Sequence, residues 1–110
     1  MKTEEKIQNL QAMERGLQQL LLQKQTFQAQ LMEIESAQEE IKKSDTVYKI
    51  VGNIMLKADR QSMEKELKEK NETLNLRIKN IEKQEESARE KAKKLRGEVL
   101  EEIKDKQSKK

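Results

Sequence analysis

The sequence predicts a mainly α protein: a long antiparallel helical coiled-coil hairpin with a short central β-hairpin that oligomerises. Three observations lead there. The 110 residues include no Pro, so nothing forbids long helices. Charged residues make up 41% and apolar ones 33%, with one Phe, one Tyr and no Trp, which suits a narrow buried seam better than a globular core. The third is a markedly apolar stretch, VYKIVGNIML from Val47 to Leu56, standing between two periodic segments.

Composition bounds the rest. A chain of this length has room for one domain, taken here as residues 1–110. High charge with low hydrophobicity also marks disordered chains, but 24 basic against 21 acidic residues leave only +3, with both signs interspersed. There is no Cys, hence no disulfide framework and no thiol chemistry, as suits a reducing cytoplasm. No apolar run approaches the ~20 residues that span a bilayer. The opening MKTEEKIQNL is acidic where a signal peptide needs a basic and then an apolar segment, so the expected location is cytoplasmic, with no membrane partner.

The first helix is expected over about residues 4–43. Heptad a positions at Leu10, Leu17, Lys24, Leu31 and Gln38 put d at Met13, Leu20, Phe27, Ile34 and Ile41, and eight of these ten sites are apolar. Gln and Glu, good helix formers, fill much of the remainder.

The second helix is expected over about residues 60–104, with the tail 105–110 frayed. Its best seam has d at Leu67, Leu74, Ile81, Ala88 and Leu95, and a at Ile78, Ala92 and Val99 but also at Asn71 and Glu85. Such polar seam sites weaken packing yet fix register. Glu64/Lys68, Glu66/Lys70, Glu85/Arg89, Glu90/Lys94 and Glu102/Lys106 are Glu-first pairs at i,i+4, each adding ~0.2–0.5 kcal/mol. Asp59 or Ser62 is the candidate cap of its start.

Between the helices, Val, Tyr, Ile and Val are strand formers, and Gly52-Asn53 supplies turn residues that tolerate positive φ. Two strands are expected within residues 46–57, about 46–51 and 54–57. A two-residue loop pairs Val51 with Ile54; a three-residue loop pairs Ile50 with Ile54. The second is preferred, because it gathers Tyr48, Ile50, Ile54 and Leu56 on one face and leaves Val47, Lys49, Met55 and Lys57 on the other.

A lone two-stranded hairpin is marginal in water and has two unpaired edges. The helices are committed to each other, with Ile41 expected beside Met63 in an antiparallel fold-back. The hairpin must therefore find other chains, which predicts an oligomer joined by intermolecular sheet or barrel formation.

Helix, single central hairpin and helix, with VYKIVGNIMLK as the hairpin and KELKEKNETLNLRIKNIEKQEE following it, resembles the archaeal-type, single-hairpin prefoldin β subunits across nearly the whole chain. The resemblance implies an ATP-independent molecular chaperone, a holdase subunit without a cofactor. In that family two α and four β subunits join through their hairpins into a double β-barrel platform. The coiled-coil tips hold unfolded client proteins and pass them to a group II chaperonin. Mapped onto this chain, Val47, Tyr48, Ile50, Val51, Ile54, Met55 and Leu56 are the expected assembly contacts. The client-binding tips are expected at Ile7, Leu10, Met13 and Leu17 of the first helix and at Leu95, Val99, Leu100 and Ile103 of the second, placed by their distance from the hairpin.

The residues alone support part of this. Ile7, Leu100 and Ile103 fall off the a/d register, more apolar material than one seam buries, and exposed apolar groups at a rod's end suit apolar client segments. Gly16 and Gly97 each cost roughly 1 kcal/mol relative to Ala within a helix, and are expected to loosen the tips. Catalysis has little to work with: no His, no Cys, no phosphate-binding Gly-rich loop and no calcium-loop pattern, so neither an enzyme nor a metal site is expected. The basic run KAKKLR, residues 91–96, lies among acidic flanks and lacks aromatic neighbours, which argues against nucleic acid. The rival reading is a structural or scaffolding oligomeric coiled coil without client binding.

Overall fold

The computed structural model describes residues 2–108. In chain order it contains α1 (Thr3–Lys43), β1 (Val47–Val51), β2 (Ile54–Ala58) and α2 (Arg60–Ser108). The strands form a two-stranded antiparallel sheet. The expected class is thus the observed one, with one boundary corrected. α2 continues to Ser108, past the expected end near Lys104, with Lys106 in the final turn, where positive charge suits the negative end of the helix dipole. Lys109 and Lys110, the rest of the expected frayed tail, lie outside the described residues.

Local chemistry explains the element ends. Glu4 and Glu5 occupy the first turn of α1, where negative charge is favoured. Asp59, not Ser62, caps α2: its Oδ2 accepts from the Ser62 backbone N–H at 3.1 Å and from the Ser62 hydroxyl at 2.9 Å. At the other junction Ser44 Oγ donates to the carbonyl of Glu40 at 3.0 Å, and Arg60 Nη2 donates to that of Lys42 at 3.0 Å. These bonds satisfy carbonyls that a helix end otherwise leaves open.

The chain groups into two compact units, Gln25–Lys79 and Met1–Lys24 with Asn80–Lys110. In the first, the hairpin unit, Ile41, Leu67, Leu74 and Ile78 are buried, and Phe27, Leu31 and Ile34 are half-buried opposite them. Arg77 lies over the Phe27 ring, 5.6 Å from its centroid, extending the cover of that side chain. The polar seam sites meet each other: Asn71 Nδ2 donates to Gln38 Oε1 at 3.1 Å, and Asn75 Nδ2 donates to Asn71 Oδ1 at 2.7 Å. The pairing of Gln38 with Asn71 sets the helices about one turn further along than a match of Ile41 with Met63 implies. Ile41 accordingly borders a groove shared by Met63 and Leu67.

In the second, the terminal unit, Ile81, Ala92 and Val99 are buried together with one carboxylate, Glu85, which is 2% exposed. Lys24 Nζ donates to Glu85 Oε1 at 2.7 Å, and Arg89 Nη2 stands 3.6 Å from Oε2. Lys24 and Glu85 are seam positions of opposite helices. A carboxylate this far from water is tolerable only with such partners.

Replacing Glu85 by Leu leaves the half-buried Lys24 without its partner and is expected to lower the unfolding free energy by about 2 kcal/mol. Replacing both by Leu should recover that loss or exceed it. Urea unfolding followed by circular dichroism measures the cycle, and equal losses in the single and double variants would refute the coupling.

Candidate functional site

The hairpin turn decides its geometry. Gly52 has φ of 62°, while among the described residues no non-glycine residue has positive φ, so the Gly52-Asn53 pair makes a type II′ turn with Gly first. Such a turn closes a two-residue loop, and Val51 pairs with Ile54, Ile50 with Met55, Lys49 with Leu56 and Tyr48 with Lys57. The three-residue register preferred from the sequence is therefore incorrect. Its premise, one apolar and one mixed face, does not hold. Opposed residues share a face, so Val47, Lys49, Val51, Ile54 and Leu56 lie on one side and Tyr48, Ile50, Met55 and Lys57 on the other.

Both faces are consequently apolar, and both are in water. Tyr48, Ile50, Val51, Ile54, Met55 and Leu56 are between 52% and 68% exposed; Val47, at the base, is half-buried. The base is latched to α2. Lys49 Nζ lies 3.2 Å from both carboxylate oxygens of Glu66, and Lys70 reaches the same group at 3.5 Å. The hydrogen bond from Lys49, reinforced by the two positive charges, holds the Glu66 carboxyl below its ordinary range.

In the terminal unit the residues expected to bind client separate into two sets. Leu10, Met13, Leu17 and Leu95 are half-buried at seam positions, and Val99 is buried there. Off the seam, Ile7 is half-buried, Ile103 is 38% exposed and Leu100 is 60% exposed. Polar ties surround them. Thr3 Oγ1 donates to Glu102 Oε2 at 2.5 Å, Lys6 Nζ donates to Glu102 Oε1 and stands 3.7 Å from Glu98, and Arg96 Nη2 donates to Glu14 at 3.2 Å. The bond between Lys6 and Glu102 raises the Lys6 ammonium above its usual value and, with the bond from Thr3, lowers the Glu102 carboxyl.

Other exposed apolar residues escaped the sequence reading: Leu21 and Leu22 in the terminal unit, Met32 and Leu76 in the hairpin unit. The signal was available, since each falls outside the a/d positions of its heptad. Among the described residues no group of three or more His, Cys, Asp or Glu side chains could hold a metal ion, and no helix is long and apolar enough to cross a membrane.

Over residues 4–106 the sequence matches the family described as Prefoldin subunit. It is 41% identical over 87 residues to "Prefoldin subunit beta" of Archaeoglobus fulgidus, covering 76% of this chain and 75% of that one. With the protein of the same name from Pyrobaculum islandicum it shares 41% over 90 residues, 79% of this chain and 72% of the other. The crystal structure of the prefoldin beta subunit from Thermococcus strain KS-1 superposes with a TM-score of 0.84 at 33% identity, over 90% of each chain.

The ties at Glu102 are pH-dependent in a defined sense. Because the folded carboxyl titrates below its ordinary value near 4.5, its contribution is complete above that pH and is lost as pH falls through the lowered value. Because the folded Lys6 ammonium titrates above 10.5, its contribution is complete below that pH and is lost as pH rises through the raised value. The protection of the Lys6 and Ile7 amides relative to intrinsic exchange should therefore be greatest between these limits and fall toward strong acid. Lys6→Gln should flatten most of that acid-side change.

Proposed function

The chain belongs to the prefoldin subunit family, a family of chaperone-type subunits, and from that premise we propose that it is a β subunit of a hetero-oligomeric, ATP-independent holdase. The observation that carries this reading is the hairpin: six large apolar residues on two wet faces, with two unpaired strand edges. Fully burying one such side chain is worth roughly 1.5–3 kcal/mol, so association with other hairpins has ample driving force. Val47, Tyr48, Ile50, Val51, Ile54, Met55 and Leu56 then serve as assembly contacts in a ring of two α and four β subunits. Closing strands into a barrel removes their edges.

The client-binding surface of this reading is the helix ends. Leu100 and Ile103 offer apolar area directly, and Ile7 adds a half-buried flank. Leu10, Met13, Leu17, Leu95 and Val99 lie in the seam and become available to a client as the ends open, with Met13 the most adaptable. Several ends sharing one unfolded polypeptide gain effective concentration, so each contact stays weak and reversible while the whole retains its client. Binding and release of this kind need no cofactor and no catalytic residue, and suit transfer to a group II chaperonin in the cytoplasm. The location of five of the eight tip residues in the seam is what favours the rival, a scaffolding coiled coil without client binding.

Two measurements separate the readings. Ile50→Lys with Met55→Lys places charge on two exposed, paired positions and should convert the native complex with its α partner into smaller species by native mass spectrometry; an intact hexamer would contradict assembly through this face. Removing the residues before Leu10 and after Leu95, which deletes Ile7, Val99, Leu100 and Ile103, should leave that mass pattern of a hexamer but sharply weaken suppression of aggregation of denatured proteins. Suppression undiminished by the truncation would refute binding at those four residues.

A further inference from the structure

The terminal unit carries a groove of about 570 Å³ between α1 and α2. Its α1 wall is Met13, Leu17 and Leu20 around Gly16. A Cβ added at Gly16 would meet nothing within 4 Å, so the missing side chain leaves open space. Across from it lies Ala88, another small residue. From Met13 to Leu20 the wall runs about 10 Å along the helix, the length of roughly three extended residues.

The rim is charged in one sense only. Lys83 and Lys91, about two helical turns apart on α2, border the groove, and no carboxylate does. Among the described residues neither lysine is ion-paired.

We propose that this groove takes a short apolar segment of a non-native polypeptide flanked by an Asp or Glu, its side chains entering the space over Gly16 and its carboxylate meeting Lys83 or Lys91. The inference rests on the holdase reading and narrows its substrate class. A second copy of this chain is a poorer occupant, because the same face would bring its own lysines against these two.

The test uses the intact complex with its α partner and two fluorescein-labelled peptides, one apolar core flanked by Asp and the same core flanked by Lys, with anisotropy as the readout. The Asp-flanked peptide is expected to bind about fivefold more tightly. Gly16→Leu, which fills the groove with a better helix former, should remove that binding without loss of helix content. Lys83→Glu with Lys91→Glu should reverse the preference. Equal binding of the two peptides, or no effect of Gly16→Leu, in a complex that still suppresses aggregation would overturn the groove and leave the holdase reading standing. Absence of both peptide binding and aggregation suppression would overturn both.

Discussion

Burial in this chain is confined to one stripe along each helix, and most other features follow from that limit. A seven-residue repeat turns only its a and d positions toward the partner helix. In α2 the rule holds without exception from Leu67 to Val99, where every buried side chain falls at an a or d site. Apolar residues elsewhere have no internal destination. The hairpin, Leu100, Ile103, Leu21, Leu22, Met32 and Leu76 are in water for the same reason: the seam has no further room for them.

The seam also contains its own polar exceptions, and they are matched. Gln38 meets Asn71 in the hairpin unit, and Lys24 meets Glu85 in the terminal unit. Hydrophobic residues of similar size pack almost as well after a slip of one heptad, whereas a slip would leave a buried carboxylate and a half-buried amide without partners. Unpaired groups of that kind are costly. Each unit therefore locks its own register by one polar pair. The arrangement trades some packing energy for a single alignment of the helices.

Much of this was legible in the residues, and the failures have identifiable causes. The heptads of α1 and α2 placed both helices and nearly all of the seam, because a period of seven is dictated by geometry that no neighbour alters. Polar residues at Lys24, Gln38, Asn71 and Glu85 were visible as exceptions, but their matching was not. Recognising it needs the antiparallel offset, and the offset assumed from Ile41 and Met63 was about a turn short. The hairpin register failed differently. Preferring a face of Tyr48, Ile50, Ile54 and Leu56 supposed that a strand pair must separate apolar from mixed sides, a rule for sheets with one face on a core. Here neither face has a core, and the local demand of Gly52 for a type II′ turn wins. The likeness to known prefoldin β chains supplied the family; the exposure of particular side chains came only from the packed helices.

The two-faced hairpin has a consequence for how assembly and binding share one chain. Its exposed apolar surface is larger than that at the helix ends, and strands with open edges associate readily with any other strand. Left unassembled, this is the segment that would capture unfolded polypeptide first, and would do so by strand addition, which holds tightly. Within the proposed complex, partner hairpins occupy those edges, and the remaining apolar surface is side-chain area on helices whose backbone bonds are already made. Contacts of that kind are individually weak and leave no free edge for a client to extend. In that proposed complex assembly would therefore do more than gather six tips: it would withdraw the adhesive part of the chain and leave the reversible part available for clients.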